Sequence, residues 1–217
     1  METQLSTILQ PNYPDIDFDT FNDGDEWKTF YGDVTRSIPP NAPDPRGKSV
    51  DLRMWVDSDH AGDKMTRRSR TGYFIFLNTA LIDWLRKKQA TIESSVFGGE
   101  FISMKTGVEP LGGIRYKLLM MGVPLTGPTY IHGDNMSVIY NTSRSESTLK
   151  KKSNSICYHA VRGAAASGEC LTTHCKTRNN YSDMRTKVLY GKKKQYNVSH
   201  ILYAIWDHKD GPETAKG

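Results

Sequence analysis

From Leu52 the chain alternates: Leu52, Met54 and Val56 fall on one face and Arg53, Trp55 and Asp57 on the other, which is the period of a β-strand. The run ends in three carboxylates, Asp57, Asp59 and Asp63, with Gly62 to turn the chain. An acidic side chain at a strand end is costly inside a core but well placed to hold a hard cation. A calcium loop fits poorly, because the spacing D-x-D-x-x-G-D lacks the later ligands. GYFIFLN and ALIDWLRKKQ read as two further strands joined at Asn78–Thr79, so a meander is predicted.

From Ser94 to Met121 the period becomes helical, with Phe97, Phe101, Met104, Val108 and Leu111 on one stripe and Glu100 near its edge. Pro110 and Gly112–Gly113 predict two helical pieces rather than one. PTYIHGDN reads as a short strand ending at Asp134. The helix MSVIYNT follows, capped by the Asp134–Asn135 pair or by Ser137. ICYHAVRGAAASG predicts a helix, ECLTTHCKT a strand, and NNYSDMRTKVL a helix start with Asp183 near its first turn. GKKKQYNVSHILYAIWD closes the pattern as an amphipathic helix with a basic head. The order β-β-β-α-β-α-α-β-α defines an α/β fold with a mixed, five-stranded sheet and helices packed on it.

Charge distribution adds a domain boundary. Residues 1–45 hold nine acidic and two basic residues, whereas the rest of the chain carries a net +12. Six of the ten prolines lie in residues 1–50. Residues 1–49 therefore read as an acidic, irregular connector, residues 50–207 as the domain and residues 208–217 as a tail. A basic body suits a polyanion partner. Candidate phosphate contacts are Arg67, Arg68 and Arg70 after the first strand and Lys150, Lys151 and Lys152 in the polar segment SRSESTLKKKSNS. Three cysteines without a signal peptide, and no run long enough to span a membrane, imply a soluble protein of a reducing intracellular compartment. His174 and Cys175 would point to opposite faces of a strand, which disfavours zinc.

Four acids then stand on four elements: Asp57 on the first strand, Glu100 on the long helix, Asp134 at the end of the fourth strand and Asp183 at a helix start. Such carboxylates converge only if something offsets their repulsion, and divalent ions do so. Two Mg²⁺ ions about 4 Å apart would stabilise both the attacking and the leaving oxygen in phosphodiester hydrolysis.

The motifs VDSDHAGD, RRSRTGYFIFLN, KKQATIESSVFGGEF, GIRYKLLMMGVP, YIHGDNMSVI, STLKKKSNSICYHAVR and SDMRTKVL together resemble the ribonuclease H domain of copia-type LTR retrotransposon polyproteins. The leader resembles the connector from the reverse transcriptase portion. The resemblance implies a ribonuclease H-like fold and hydrolysis of the RNA strand of RNA–DNA hybrids with two Mg²⁺ ions, for which Mn²⁺ can substitute. Asp57, Glu100, Asp134 and Asp183 would be the catalytic metal ligands, with Asp57 bridging both ions, Glu100 and Asp134 on one and Asp183 on the other. Asn135, of the family's D-N motif, and the six basic residues would meet the nucleic acid. The implied partners are the hybrid and the reverse transcriptase portion, with no membrane. The implied setting is cytoplasmic, or a virus-like particle for an active element. The chain departs from the family at Gly98–Gly99, at Tyr181-Ser182 before Asp183, and at Gly163 after Arg162. An inactive remnant that keeps the fold and nucleic-acid binding is the alternative reading.

Overall fold

Helix α1 (Asp25–Tyr31) precedes strands β1 (Leu52–Asp59), β2 (Arg70–Leu77) and β3 (Ala80–Lys88). Helix α2 (Val96–Met120), strand β4 (Thr129–Gly133), helices α3 (Met136–Ser143) and α4 (Ser155–Ala166), strand β5 (Cys170–His174) and helices α5 (Asp183–Thr186) and α6 (Gly191–Tyr203) follow. This computed structural model describes residues 25–149 and 152–203. Residues 1–24 of the expected connector, Lys150, Lys151 and the expected tail lie outside the described residues.

The five strands form one mixed sheet in the order β3-β2-β1-β4-β5. β1 runs antiparallel to β2, from Leu52 opposite Leu77 to Asp59 opposite Arg70, and parallel to β4 over Arg53–Trp55. β4 and β5 are parallel. The β2–β3 hairpin turns at Asn78, whose left-handed φ of 51° suits an asparagine. Asn78 also accepts a bond from the Asp51 backbone N–H and donates its own N–H to the Asp51 carbonyl.

The alternation along β1 sorts its side chains as expected, but both faces are covered because the strand is central. Leu52, Met54 and Val56 join Phe101, Met104, Leu111, Ile131, Ile139 and Val161 in the larger core, beneath α2, α3 and α4. On the other face Trp55 packs with Phe74, Phe76, Tyr181 and Ile201 of α6.

Helix α2 corrects one expectation: it is a single helix of 25 residues that passes through Pro110 and Gly112–Gly113. Packing overrides propensity here. The buried stripe of Phe101, Met104, Leu111 and Leu118 lies on the sheet, and Gly107 comes so close to β1 that a Cβ would sit 2.7 Å from the Met54 thioether. Ser95 caps the helix by accepting the Gly98 N–H.

The connector, expected to be irregular, contributes the helix α1, which packs on α4. The reason is Arg162, 2% exposed. Its guanidinium donates to the carbonyls of Asn141, Arg144 and Ser145 and to the Tyr31 hydroxyl. It also lies 4.7 Å from both the Trp27 and the Tyr158 ring centroids. This buried cation persists because carbonyl dipoles and aromatic faces replace its hydration.

Candidate active site

The site is built where β1 outruns β4. Pairing of the two strands stops at Trp55 opposite His132, and side chains from the segment leading into α5 bond β1 carbonyls there. Ser182 donates to the Trp55 carbonyl at 2.6 Å and Asn180 to the Val56 carbonyl at 3.0 Å, both buried. Tyr181 between them packs 4.9 Å from Trp55. The Tyr181-Ser182 departure from the family pattern is thus the anchor that seats α5 on β1. Gly72 completes the fit: it lies opposite Asp57, and a Cβ there would come within 2.5 Å of the Arg185 Cβ and 2.8 Å of the Thr186 methyl.

Asp57, Glu100 and Asp134 converge. Each offers a carboxylate oxygen such that all three oxygens lie within 4.8 Å of one another. Asp57 reaches this point from β1 and Asp134 from the residue after β4. Glu100 comes from the second turn of α2, and Gly98 and Gly99 let that helix start close in. A Cβ at Gly99 would sit 3.2 Å from the Ser58 hydroxyl, and one at Gly98 would collide with the Glu93 carboxylate and the Asn154 amide. The paired glycines therefore serve close packing.

Burial and mutual repulsion dominate the electrostatics. Burial pushes Asp57 up to about 7, against the opposing pull of Lys187 and Thr186, with Asp183 and Asp134 adding to the rise. Glu100 is raised well above the usual carboxylate range by burial and then by Asp57 and Asp134. The Cys175 thiol is raised as well, by burial and by the four acids, so it is an inert neighbour rather than a nucleophile. His132, stacked on Trp55 at 4.6 Å, is held neutral by burial, with its ionisation depressed to about 3.

Asp183 is treated differently. Although 1% exposed and next to the cluster, it is engaged by two ammonium groups: Lys187 at 2.7 Å from Oδ1, and Lys193, from α6, on Oδ2. Lys187 also lies 3.4 Å from Asp57 Oδ2, which accepts the Thr186 hydroxyl as well. Asp57 Oδ1 is buried without a hydrogen-bond partner. Thr186, Lys187 and Lys193 are not among the site residues expected from the sequence. The signal for the first two was their i+3 and i+4 spacing from Asp183, which places them on its face of the helix.

The remaining expected contacts lie outside the group of three acids. Arg67 and Arg68 are exposed in the β1–β2 loop. Arg70 faces Asp59 at 3.4 Å, and Lys152 is exposed in a short 3₁₀ turn that ends at Asn154, against the start of α2. The Asn135 side chain accepts from the Ser137 and Val138 N–H groups and so caps α3. The three cysteines are free thiols. Among the described residues no helix is long and apolar enough to cross a membrane.

A mixed sheet in this strand order, with acids gathered at the ends of β1 and β4 and on the first long helix, defines the ribonuclease H fold. The N-terminal RNase H domain of a Mycobacterium tuberculosis protein, solved as a fusion with maltose-binding protein, superposes with a TM-score of 0.50 at 11% identity, covering 64% of this chain and 91% of that one. Homologues of this chain include retrovirus-related Pol polyproteins of plant transposons. That of transposon RE1 from Arabidopsis thaliana is 30% identical over 144 residues, 66% of this chain and 10% of the polyprotein. The relative from Nicotiana tabacum is 28% identical over 145 residues, again 66% of this chain and 11% of its own length. The chain thus spans about a tenth of the length of these curated relatives. No protein-family model matches it.

Proposed function

We propose that the chain is a ribonuclease H-type phosphodiester hydrolase that cuts the RNA strand of RNA–DNA hybrids during reverse transcription of a copia-type element. The observation that carries this reading is the convergence of Asp57, Glu100 and Asp134 oxygens within 4.8 Å, in a ribonuclease H fold homologous to Pol polyproteins. Three hard oxygen donors fit a divalent cation such as Mg²⁺ or Mn²⁺, and Asp57 Oδ1 is itself buried without a hydrogen-bond partner. The chemistry such an ion supplies is Lewis-acid stabilisation of the phosphoryl group and a water acidic enough to ionise near neutral pH.

The chain's own residues prepare that position. Thr186 and Lys187 engage Asp57 Oδ2 and so fix the orientation of the carboxylate. Ser182 and Asn180 lock α5 to β1, which keeps Asp183 and Lys187 beside Asp57. Asn135 caps α3 and so holds the backbone next to Asp134. Exposed Arg67, Arg68 and Lys152 would bind strand phosphates, with Lys150 and Lys151 beside Lys152 in sequence. The 2′-hydroxyl would mark the strand to be cut. Residues 1–49, by their sequence likeness, would join this domain to a reverse transcriptase portion, and Asp183 would serve a second ion.

The test is incubation of purified protein and Mg²⁺ with an RNA–DNA hybrid, a double-stranded RNA and a single-stranded RNA of one sequence, each labelled on the RNA. Cleavage confined to the hybrid supports the proposal. Equal cleavage of all three refutes the assigned substrate, and hybrid binding without any cleavage makes the chain a remnant of the fold.

A further inference from the structure

Of the four acids, three bring a carboxylate oxygen to one shared point, Asp57, Glu100 and Asp134. Both oxygens of Asp183 are engaged by ammonium groups, Lys187 and Lys193, and one oxygen of Asp57 is shared between Thr186 and the same Lys187. Lys187 Nζ, 3.4 Å from Asp57 and 2.7 Å from Asp183, therefore stands between the two carboxylates that a second divalent ion would have to bridge. It is not locked in: its side chain is 41% exposed on a flexible stem, whereas Asp57 and Asp183 are each 1% exposed. A compact ammonium of this kind neutralises a carboxylate pair as a fixed charge and can swing away when a better cation arrives.

The geometry points to Lys187 as a built-in cation that takes the place of the second metal ion until the site is engaged. Resting on the divalent-ion reading above, the inference is that the hybrid-free chain takes one divalent ion, on Asp57, Glu100 and Asp134. A second ion enters only when Lys187 is displaced. Lys193 supports this arrangement from α6 by engaging the other Asp183 oxygen, so that Lys187 alone decides whether Asp183 faces Asp57 with an oxygen to spare.

Calorimetric titration of the full chain with Mn²⁺ alone, with bound ion counted independently by electron paramagnetic resonance, decides the matter. The parent should bind one ion per chain, Lys187→Met two, and Lys187→Arg one, because arginine restores the fixed charge. If circular dichroism shows that Lys187→Met has lost its fold, Lys187→Gln carries the same expectation. Two ions on the parent, or one on a folded Lys187→Met, overturns the inference while leaving the divalent-ion reading in place. No ion on any of the proteins overturns that reading itself, and the inference with it.

Discussion

Replacing Asp57 by Asn should make the ion-free protein more stable at neutral pH. The Asp57 carboxyl, 1% exposed, ionises near 7 in the folded chain instead of its ordinary 3.8. Between those values the folded state holds a proton that the unfolded state has lost, so stability falls as pH rises from about 4 to about 7 and is then level. At about 1.4 kcal/mol per pKa unit, the difference between pH 4.5 and pH 7.5 is on the order of 3 kcal/mol. His132 titrates with the opposite sign: its ionisation is depressed to about 3, so it costs stability as pH falls below its usual value. The pH profile of the parent alone mixes these with Glu100, which burial and Asp57 also raise; subtracting the Asp57→Asn profile cancels His132 and leaves Asp57 together with the part of the Glu100 rise that Asp57 causes. The assay is urea denaturation of both proteins in chelator from pH 4.5 to 8. The variant's advantage should grow by roughly 3 kcal/mol across that range. A difference that does not change with pH would refute the assignment of Asp57 as a carboxylate held neutral by burial.

Other perturbations test the supports of the site. Arg162→Met strands the carbonyls of Asn141, Arg144 and Ser145 in a buried setting, and should cost about 3–5 kcal/mol in denaturant melts. Gly72→Ala drives a methyl into Arg185 and Thr186 of α5. It should cost about 1–3 kcal/mol and lower the cleavage rate at least ~10-fold with hybrid affinity unchanged, as measured by single-turnover kinetics beside a binding assay. Pro110→Ala restores a backbone donor inside α2 and should stabilise the chain by up to ~3 kcal/mol, visible as a higher melting temperature.

The sheet was readable from the chain because its signals are local. Alternation along Leu52–Val56 and the Asn78 turn depend on neighbours in sequence, and the strands formed where those patterns lie. The continuity of α2 was not readable. Pro110 and the glycines argue for a break, and tertiary packing, the buried stripe on the sheet with the approach of Gly107 to Met54, explains the unbroken helix. Gly98 and Gly99, in sequence only a departure from the family pattern, are likewise sites of close packing. The three clustered acids were legible through motif order. The lysines were not: Lys193 comes from a separate helix, and the bridging role of Lys187 depends on α5 being seated by Ser182 and Asn180. Arg162 was opaque for a similar reason, since Trp27 and Tyr31, which enclose it, lie in the connector far upstream.

The most direct test of the central claim is single-turnover cleavage of a hybrid labelled on its RNA strand, in Mg²⁺, by the parent, Glu100→Gln and Asp134→Asn, with hybrid affinity measured for all three. The account predicts RNA cleavage by the parent alone and similar affinity throughout. Cleavage by either variant at the parental rate would contradict it.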